Sequence, residues 1–286
     1  NQKSKELIRF LGYISIMITN LDTEGLSKIA FDYDLFYIDI WGVLHNGIEL
    51  YKQAVNTLEK LDEYKKEFVL LTNAPRPNEP VIKFLKKMGL KNFFKNVFTS
   101  GEAAMRYLKA DLKDQKFFHL GPPRDFDLFA TFEHLRENNL SSADYILCTG
   151  LFDDNDDLDF YKNLLKNHIS KKMICTNPDL IVDRGEIREL CAGSVAKVFE
   201  ELNGEVIYFG KPYPPVYELS ANVKNRKVLC IGDNLNTDIK GANIQKFDSL
   251  LVGGGIHRNE ISDKKIENLM KSHEVKIDYI QTQLKW

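Results

Sequence analysis

Short apolar runs alternate with stretches of helical periodicity along most of the chain. Residues 36–40 and 68–71 are continuous apolar runs, as in strands that are buried on both faces, and residues 54–65 between them carry apolar positions at helical spacing. Strand, helix and strand in this order predict a parallel βαβ unit. Asn46-Gly47, just after the first strand, is typical of a tight hairpin turn, so we expect a small β-flap there.

The alternation of strands and helices continues to the end of the chain and restarts after Pro80. Further strands are predicted at residues 97–100, 116–121, 145–150, 173–177, 206–210, 227–233 and 249–255. We predict an α/β fold in which a Rossmann-like parallel sheet is built from residues 31–78 and 200–286, with an α/β domain inserted at 79–199. Residues 1–30, with mixed three- and four-residue apolar spacing, are predicted to form an N-terminal helical extension.

The composition argues against several classes of function. Of the 286 residues, 43% are hydrophobic and 28% are charged, which is ordinary for a globular protein, and the formal charge of −2 gives no electrostatic case for a nucleic-acid partner. The longest apolar run near the start, residues 11–18, is too short to span a membrane, so we expect no membrane partner and a cytoplasmic protein. The cysteines lack a CxxC pair and are predicted to be buried free thiols: Cys148, Cys175, Cys191 and Cys230.

Polar residues follow four of the predicted strands. They are Asp39, the pair Thr72 and Asn73, Lys211, and Asp233 with Asp238 shortly after it. Each alone is ordinary, because an aspartate after a strand is usually a helix cap and a Thr-Asn pair is usually a turn. In doubly wound sheets, however, the carboxyl ends of the strands converge on one crevice. The sequence therefore predicts a single site.

Phosphoryl transfer needs residues of these types. A phosphate ester is dianionic, so an anionic nucleophile can approach it only where a metal and hydrogen-bond donors neutralise the charge. Asp39 and Asp233 offer hard oxygen ligands for Mg²⁺. The Thr72 hydroxyl would hold phosphate oxygens, and Lys211 would add a cation that keeps Asp39 ionised.

Four segments, DIWGVL, LLTN, GKPYPPVY and IGDNLNTD, resemble in this order the motifs of the haloacid dehalogenase superfamily. The similarity is closest to its subfamily IIA, the NagD-like and nitrophenylphosphatase-like enzymes, in which an α/β cap is inserted between the second and third motifs. GDNLNTD after a strand is the most specific element. The resemblance implies a Mg²⁺-dependent phosphohydrolase that acts on a small phosphorylated metabolite such as a sugar phosphate, nucleotide or aryl phosphate. We also expect a homodimer formed through the cap.

Residue by residue, the resemblance implies that Asp39 is the nucleophile and forms an aspartyl-phosphate. The implied catalytic residues are Asp39, Lys211 and Thr72, and the implied phosphate-binding residues are Thr72, Asn73 and Lys211. The implied metal ligands are Asp39, the backbone carbonyl of Trp41, Asp233 and, in support of the metal shell, Asp238. In the cap, TNPDL offers Asn177 and Asp179 as substrate contacts, with an Asx-type turn as an equally favoured interpretation.

Trp41 departs from the phosphatase pattern, in which this position holds an aspartate that protonates the leaving alcohol and later deprotonates the water that hydrolyses the aspartyl-phosphate. Indole is a donor only and hardly titrates, so it cannot replace that acid. The loss of a general acid-base group typically lowers the rate by about 10² to 10⁴. Three outcomes are open: substrates with good leaving groups, a proton supplied by a cap residue, the substrate or His45, or a phosphate-binding or regulatory protein with little activity.

Overall fold

The computed structural model describes residues 18–184, 187–263 and 266–286. The strands are β1 (Thr19–Asn20), β2 (Leu35–Ile38), β3 (Glu67–Thr72), β4 (Val97–Thr99), β5 (Phe117–Leu120), β6 (Arg136–Glu137), β7 (Tyr145–Cys148), β8 (Lys172–Cys175), β9 (Ile181–Arg184), β10 (Ile187–Leu190), β11 (Glu205–Tyr208), β12 (Val228–Gly232), β13 (Asp248–Val252) and β14 (Tyr279–Gln281). The α-helices are α1 (Lys52–Glu63), α2 (Asn78–Lys87), α3 (Ser100–Asp111), α4 (Leu158–Leu165), α5 (Ala192–Glu201), α6 (Pro214–Ser220), α7 (Lys240–Gln245), α8 (Arg258–Asp263) and α9 (Ile266–His273).

The larger sheet has seven parallel strands in the order β1-β14-β13-β12-β2-β3-β4. The chain builds outward from β2 through β3 to β4, and later from β12 through β13 to β14 on the other side. Strand order therefore reverses between β2 and β12, which pair with Ile38 opposite Ile231. In sheets of this kind, ligands bind at the carboxyl ends of the strands beside such a switch point.

Both faces of this sheet are buried, which explains why its strands are apolar without alternation. Along β2, Phe36 and Ile38 pack into one core cluster with α1, whereas Leu35 and Tyr37 pack into a second cluster on the opposite face. The predicted doubly wound α/β fold is confirmed.

The smaller sheet belongs to the inserted domain, which we call the cap. It has five parallel strands in the order β11-β8-β7-β5-β6, and the antiparallel hairpin β9-β10 follows β8 in the chain. Helices α4 and α5 pack together against this sheet through a third apolar cluster that includes Tyr161 and Phe199.

The sheets place the cap differently from the predicted range 79–199. Strand β4 pairs with β3 in the larger sheet, and β11 pairs with β8 in the smaller one. The chain therefore enters the cap after α3 and leaves it after β11. Pro80 marked the expected boundary, but it lies in the first turn of α2, where proline is tolerated because the missing N–H has no helical partner. Apolar periodicity does not reveal which sheet a strand joins.

The predicted N-terminal helical extension is wrong for the part of it that the structure describes. Thr19 and Asn20 form the edge strand β1 beside β14, followed by short 3₁₀ turns at Leu26–Lys28 and Ala30–Asp32. Leu21 and Leu26 are buried in the core. The mixed apolar spacing thus reflects single side chains that anchor an irregular segment. The remainder of this prediction, residues 1–17, lies outside the described residues.

Two smaller predictions have clear outcomes. All four cysteines are buried and free, as expected from their apolar surroundings. Among the helices in the described ranges, none has the length and apolar character needed to cross a bilayer.

Candidate active site

Three buried aspartates meet where β2 and β12 end. Asp39 follows β2, and Asp233 follows β12. Asp238 lies in the next segment, Leu235–Ile239, which forms one turn of π-helix. One carboxylate oxygen of each residue lies within 4.8 Å of the others. The reversal of strand order makes β2 and β12 neighbours although they are far apart in the chain, and it thereby brings Asp39 to Asp233.

Lys211 brings a buried ammonium group to this cluster. Its Nζ donates to Asp39 Oδ1 at 2.5 Å, to Asp238 Oδ1 at 2.7 Å and to the Leu71 carbonyl at 3.0 Å. These three acceptors satisfy the three protons of the ammonium. The side chain is thereby fixed between two carboxylates.

Asn73, at the end of β3, positions Lys211 through its backbone. The Asn73 Oδ1 accepts a hydrogen bond from the Lys211 N–H at 2.7 Å, and its Nδ2 donates to the Lys211 carbonyl at 3.0 Å. Because one buried amide binds both the N–H and the carbonyl of Lys211, it fixes the position of the Lys211 backbone and hence the origin of its side chain. The family resemblance implies that Asn73 binds phosphate, whereas its amide is engaged with the backbone of Lys211.

The charges of the cluster are not balanced by the protein alone. Burial lowers the pKa of Lys211, but the carboxylates of Asp238 and Asp39 outweigh it and raise the pKa above its usual value. Burial, opposed by Lys211 but reinforced by Asp238 and Asp233, raises the pKa of Asp39 well above its usual range. Burial and the charge of Asp238 raise the pKa of Asp233 to about 7.

This donor set fits a divalent cation. Three carboxylates face one ammonium group, so the site carries excess negative charge that a cation would neutralise. Hard carboxylate oxygens are the ligands preferred by Mg²⁺ and Ca²⁺. Asp238 already uses Oδ1 for Lys211, and its Oδ2 accepts from the Asn234 N–H at 3.1 Å. It is therefore better suited to support the metal shell than to bind the metal directly.

Two glycines make room for Asp233. A Cβ on Gly42 or on Gly255 would lie 2.1 Å from Asp233 Oδ2, and the N–H of Ile256 donates to that oxygen at 2.8 Å. The loop after β13 therefore encloses the carboxylate from the side opposite β2. This role was not predicted from the sequence, although glycines after a strand also signal a close backbone approach.

Thr72 lies beside Asp39 at the same edge of the sheet, because β3 pairs with β2. Its side chain is buried, and its Oγ1 accepts a hydrogen bond from the Ala74 N–H at 3.3 Å. The hydroxyl proton remains available to donate to an anion. The predicted role of Thr72 in phosphate binding stays a prediction.

Of the two predicted cap residues, Asp179 reaches the core. Its Oδ1 accepts from Asn73 Nδ2 at 3.1 Å, and its N–H donates to Asn177 Oδ1 at 3.0 Å. Asn177 therefore forms the Asx-type turn that was the alternative interpretation. Burial raises the pKa of Asp179 to about 6, although Lys211 and Asn73 oppose the shift.

Trp41 packs within the loop that follows Asp39. Its ring lies 5.0 Å from the His45 ring, centroid to centroid, and a Cβ on Gly47 would lie 2.8 Å from the indole. The loop is held by isolated bridges from His45 to Trp41 and Leu50, where a β-flap was expected. Asn46 Oδ1 accepts two backbone N–H groups in its turn, and such side-chain bonds compete with ladder pairing.

His45 is poorly suited to supply the missing proton. Burial lowers its pKa to about 4, so the imidazole is neutral near pH 7. Its Nδ1 accepts the N–H of Gly47 at 2.9 Å, and its ring packs against Trp41 and Phe84. These contacts make it a structural residue of the loop.

Two further contacts, neither of which is predicted from the sequence, join the cap to the larger sheet. Arg76 Nε donates to the buried carboxylate of Asp125 at 2.8 Å, and Ser100 Oγ donates to the Thr176 carbonyl at 2.6 Å. Arg76 lies shortly after Thr72 and Asn73, so the loop that carries the phosphate-binding candidates also contacts the cap.

Comparisons with known proteins agree with this architecture. A family model described as haloacid dehalogenase-like hydrolase matches residues 36–133, and another described as HAD-hydrolase-like matches residues 208–280. The 5'-nucleotidase YutF of Bacillus subtilis (strain 168) is 24% identical over 239 residues, which cover 80% of this chain and 90% of that protein.

Solved structures share the fold. A hydrolase of the haloacid dehalogenase-like family from Brucella suis 1330 superposes with a TM-score of 0.78 and 28% identity, covering 91% of this chain and 99% of its own. A p-nitrophenyl phosphatase from Archaeoglobus fulgidus superposes with a TM-score of 0.70 and 19% identity, covering 88% of this chain and 97% of its own.

The doubly wound sheet, its inserted cap and the carboxylates gathered at the switch point define a hydrolase of the capped phosphatase type. The two matched segments contain the ends of β2, β3 and β12, which carry the candidate residues. The chain belongs to the haloacid dehalogenase-like hydrolases.

Proposed function

We propose that the protein hydrolyses small phosphorylated metabolites, such as sugar phosphates, nucleotides or aryl phosphates, with Mg²⁺ as its cofactor and Asp39 as the nucleophile. The observation that supports this most directly is the pairing of Asp39 with Lys211 at 2.5 Å inside a cluster of three buried aspartates. The names of the similar proteins, a 5'-nucleotidase and a p-nitrophenyl phosphatase, support the same class of substrate.

In the first step, an oxygen of Asp39 attacks phosphorus and the bond from phosphorus to the leaving oxygen breaks, which gives an aspartyl-phosphate. The positive charge of Lys211, whose three protons are held by Asp39, Asp238 and the Leu71 carbonyl, and a hydrogen bond from the Thr72 hydroxyl would stabilise the equatorial phosphate oxygens. Bound between Asp39, Asp233 and the Trp41 carbonyl, Mg²⁺ would neutralise charge on the transferring phosphoryl group. In the second step, the oxygen of a water molecule attacks phosphorus, the bond from phosphorus to the Asp39 oxygen breaks, and the carboxylate of Asp39 is regenerated while both protons of the water leave with the released phosphate.

Proton transfer decides which substrates react. An alkoxide needs a proton as it leaves, and Trp41 supplies none. An aryloxide or a carboxylate leaves without one. The protein is therefore expected to favour aryl phosphates, acyl phosphates and anhydrides over simple alkyl phosphates.

An assay with 4-nitrophenyl phosphate tests this proposal. We expect Mg²⁺-dependent release of nitrophenolate and a loss of at least about 10³-fold in kcat for Asp39→Asn, because the amide is no longer a nucleophile. Asp153→Asn is a matched control, since Asp153 is a half-exposed cap aspartate paired with Arg124, and it should react like the wild type. Equal activity in Asp39→Asn and the wild type would overturn the proposal.

The tryptophan favours a second candidate function, a phosphate-ligand-binding or regulatory protein with little turnover. The site would retain its cation and its phosphate-binding groups while lacking an acid at position 41. Calorimetric binding of a phosphorylated metabolite, with no release of phosphate from any member of a substrate panel, would support this alternative.

A further inference from the structure

A second cluster of metal-binding side chains lies apart from the three aspartates. It consists of His257, Glu260 and His273, and one donor atom of each lies within 4.8 Å of the donor atoms of the other two. His257 immediately precedes α8, Glu260 lies in its first turn, and His273 ends α9. Two consecutive helices thus bring two imidazoles and one carboxylate together.

The buried histidine of this cluster has an unsatisfied nitrogen. His257 is only 7% exposed, and its Nε2 has no hydrogen-bond partner among the described residues. Its Nδ1 lies 2.8 Å from Glu260 Oε1. Buried ring nitrogens are nearly always paired, so an unpaired one in a group of potential ligands indicates a bound partner such as an ion.

His273 is oriented by its neighbour in the active-site turn. Its Nδ1 lies 2.9 Å from the Oδ1 of Asn236, which lies between Asp233 and Asp238 in the chain. Donation from Nδ1 to an oxygen acceptor leaves the lone pair of the imidazole on Nε2, as in many histidines that bind metals. The rings of His257 and His273 are 5.2 Å apart, centroid to centroid.

We propose that His257, Glu260 and His273 bind a divalent transition-metal cation, of which Zn²⁺ is the best match. Zn²⁺ accepts imidazole and carboxylate ligands and keeps a water molecule where the protein offers three. Mg²⁺ prefers oxygen ligands, so the cation of the three aspartates would not compete for this cluster. Donation from His257 Nδ1 to Glu260 Oε1 leaves the lone pair of this imidazole on Nε2, the nitrogen without a partner, where it can bind the cation.

Such a cation would connect two loops of the catalytic site. His257 follows Ile256, whose N–H binds Asp233, and His273 contacts Asn236 in the turn that carries Asp238. A cation held by both histidines would therefore fasten α9 to the backbone that holds these two carboxylates. Its role is structural, and it is independent of the proposed hydrolysis.

Metal binding tests the proposal directly. The whole chain, stripped with a chelator and dialysed against micromolar Zn²⁺ in millimolar Mg²⁺, is expected to retain one Zn²⁺ by elemental analysis and to unfold at a higher temperature. Bound Co²⁺ should show the visible absorption of a site with nitrogen ligands. His257→Gln and His273→Gln should each weaken Zn²⁺ binding by about 100-fold or more.

Two comparisons keep this test decisive. His134→Gln alters an exposed cap histidine and should bind Zn²⁺ like the wild type. His273 is only partly buried, so its replacement is expected to leave the fold intact, which thermal unfolding without metal would show. No retained Zn²⁺ in the wild type, or equal retention in both ligand variants, would overturn the proposal whether or not the protein hydrolyses phosphate esters.

Discussion

The two strand ends that form the catalytic site differ in how much of the phosphatase pattern they keep. The end of β12 is complete: Asp233 is enclosed by Gly255 and Ile256, and Asp238 is paired with Lys211. The end of β2 keeps Asp39 but holds Trp41 where the pattern has a second acid.

This difference separates two parts of the proposed reaction. The residues that would bind a cation and neutralise the phosphate lie at the ends of both β2 and β12, and all of them are present. The group that moves a proton belongs to the β2 end alone, and there the indole instead packs on Gly47 and His45. Binding and nucleophilic attack can therefore persist while protonation of the leaving group is lost.

Removing the ammonium group of Lys211, which pairs with Asp39 at the β2 end and with Asp238 at the β12 end, should have the largest effect. Lys211→Met leaves Asp39 and Asp238 buried without their ammonium partner, and breaking a buried pair in this way typically costs about 3–5 kcal/mol. We expect a loss of that size in the free energy of unfolding, measured by urea denaturation with a chelator present.

A surface pair provides the matched control. Lys172 and Glu205 are paired at 3.2 Å on neighbouring strands of the cap and are both more than half exposed. Lys172→Met should change the free energy of unfolding by less than about 1 kcal/mol. Similar losses in both lysine variants would show that Lys211 does not carry the electrostatic balance of the site.

The meeting of Asp39 with Asp233 could be predicted from sequence because the positions of both residues follow from strand order. Asp39 and Asp233 come directly after β2 and β12, and the ends of these two parallel strands share one edge of the larger sheet. Lys211 follows β11, which belongs to the cap sheet, so its pairing with Asp39 depends on how the chain returns from the cap and not on strand order in the larger sheet.

Other features depend on backbone geometry that residue patterns do not encode. The approach of Gly255 to Asp233 depends on the path of a loop, and the engagement of Asn73 with Lys211 depends on the path of the loop that follows β11. Strand β4 has the same apolar character as the cap strands, so only its pairing with β3 assigns it to the larger sheet.

Restoring an acid to the β2 end should have the next largest effect. We expect Trp41→Asp to raise kcat for an alkyl phosphate by about 10- to 100-fold, below the full contribution of a general acid because the loop is packed around an indole. For 4-nitrophenyl phosphate the gain should be several-fold smaller, since nitrophenolate leaves without a proton.

Trp41→Asn separates acid chemistry from loss of the ring. It removes the same packing against Gly47 and His45 but adds no titratable group. We expect no selective gain on alkyl phosphates from this variant. An equal gain from Asn and Asp would mean that the indole had only blocked the site.

The smallest expected effect concerns Asp179, the cap carboxylate that contacts Asn73 beside both strand ends. Its pKa is raised to about 6 by burial, whereas an unfolded aspartate ionises near its usual value of about 4. The folded state therefore holds this proton more tightly, and its contribution to stability is present below pH 4 and is lost as the pH rises to about 6.

Asp179→Asn removes this titration while keeping the size of the side chain and an oxygen that can accept from Asn73. With a chelator present, the variant and the wild type should have similar free energies of unfolding near pH 4. Above pH 6 the variant should be more stable by on the order of 2 kcal/mol, because the wild type must bury the ionised carboxylate near Asp238. Urea denaturation at several pH values measures the difference. A variant less stable than the wild type at pH 8 would show that the charge of Asp179 helps to hold the cap on the core, and that the β2 and β12 ends tolerate a fourth carboxylate without a cation.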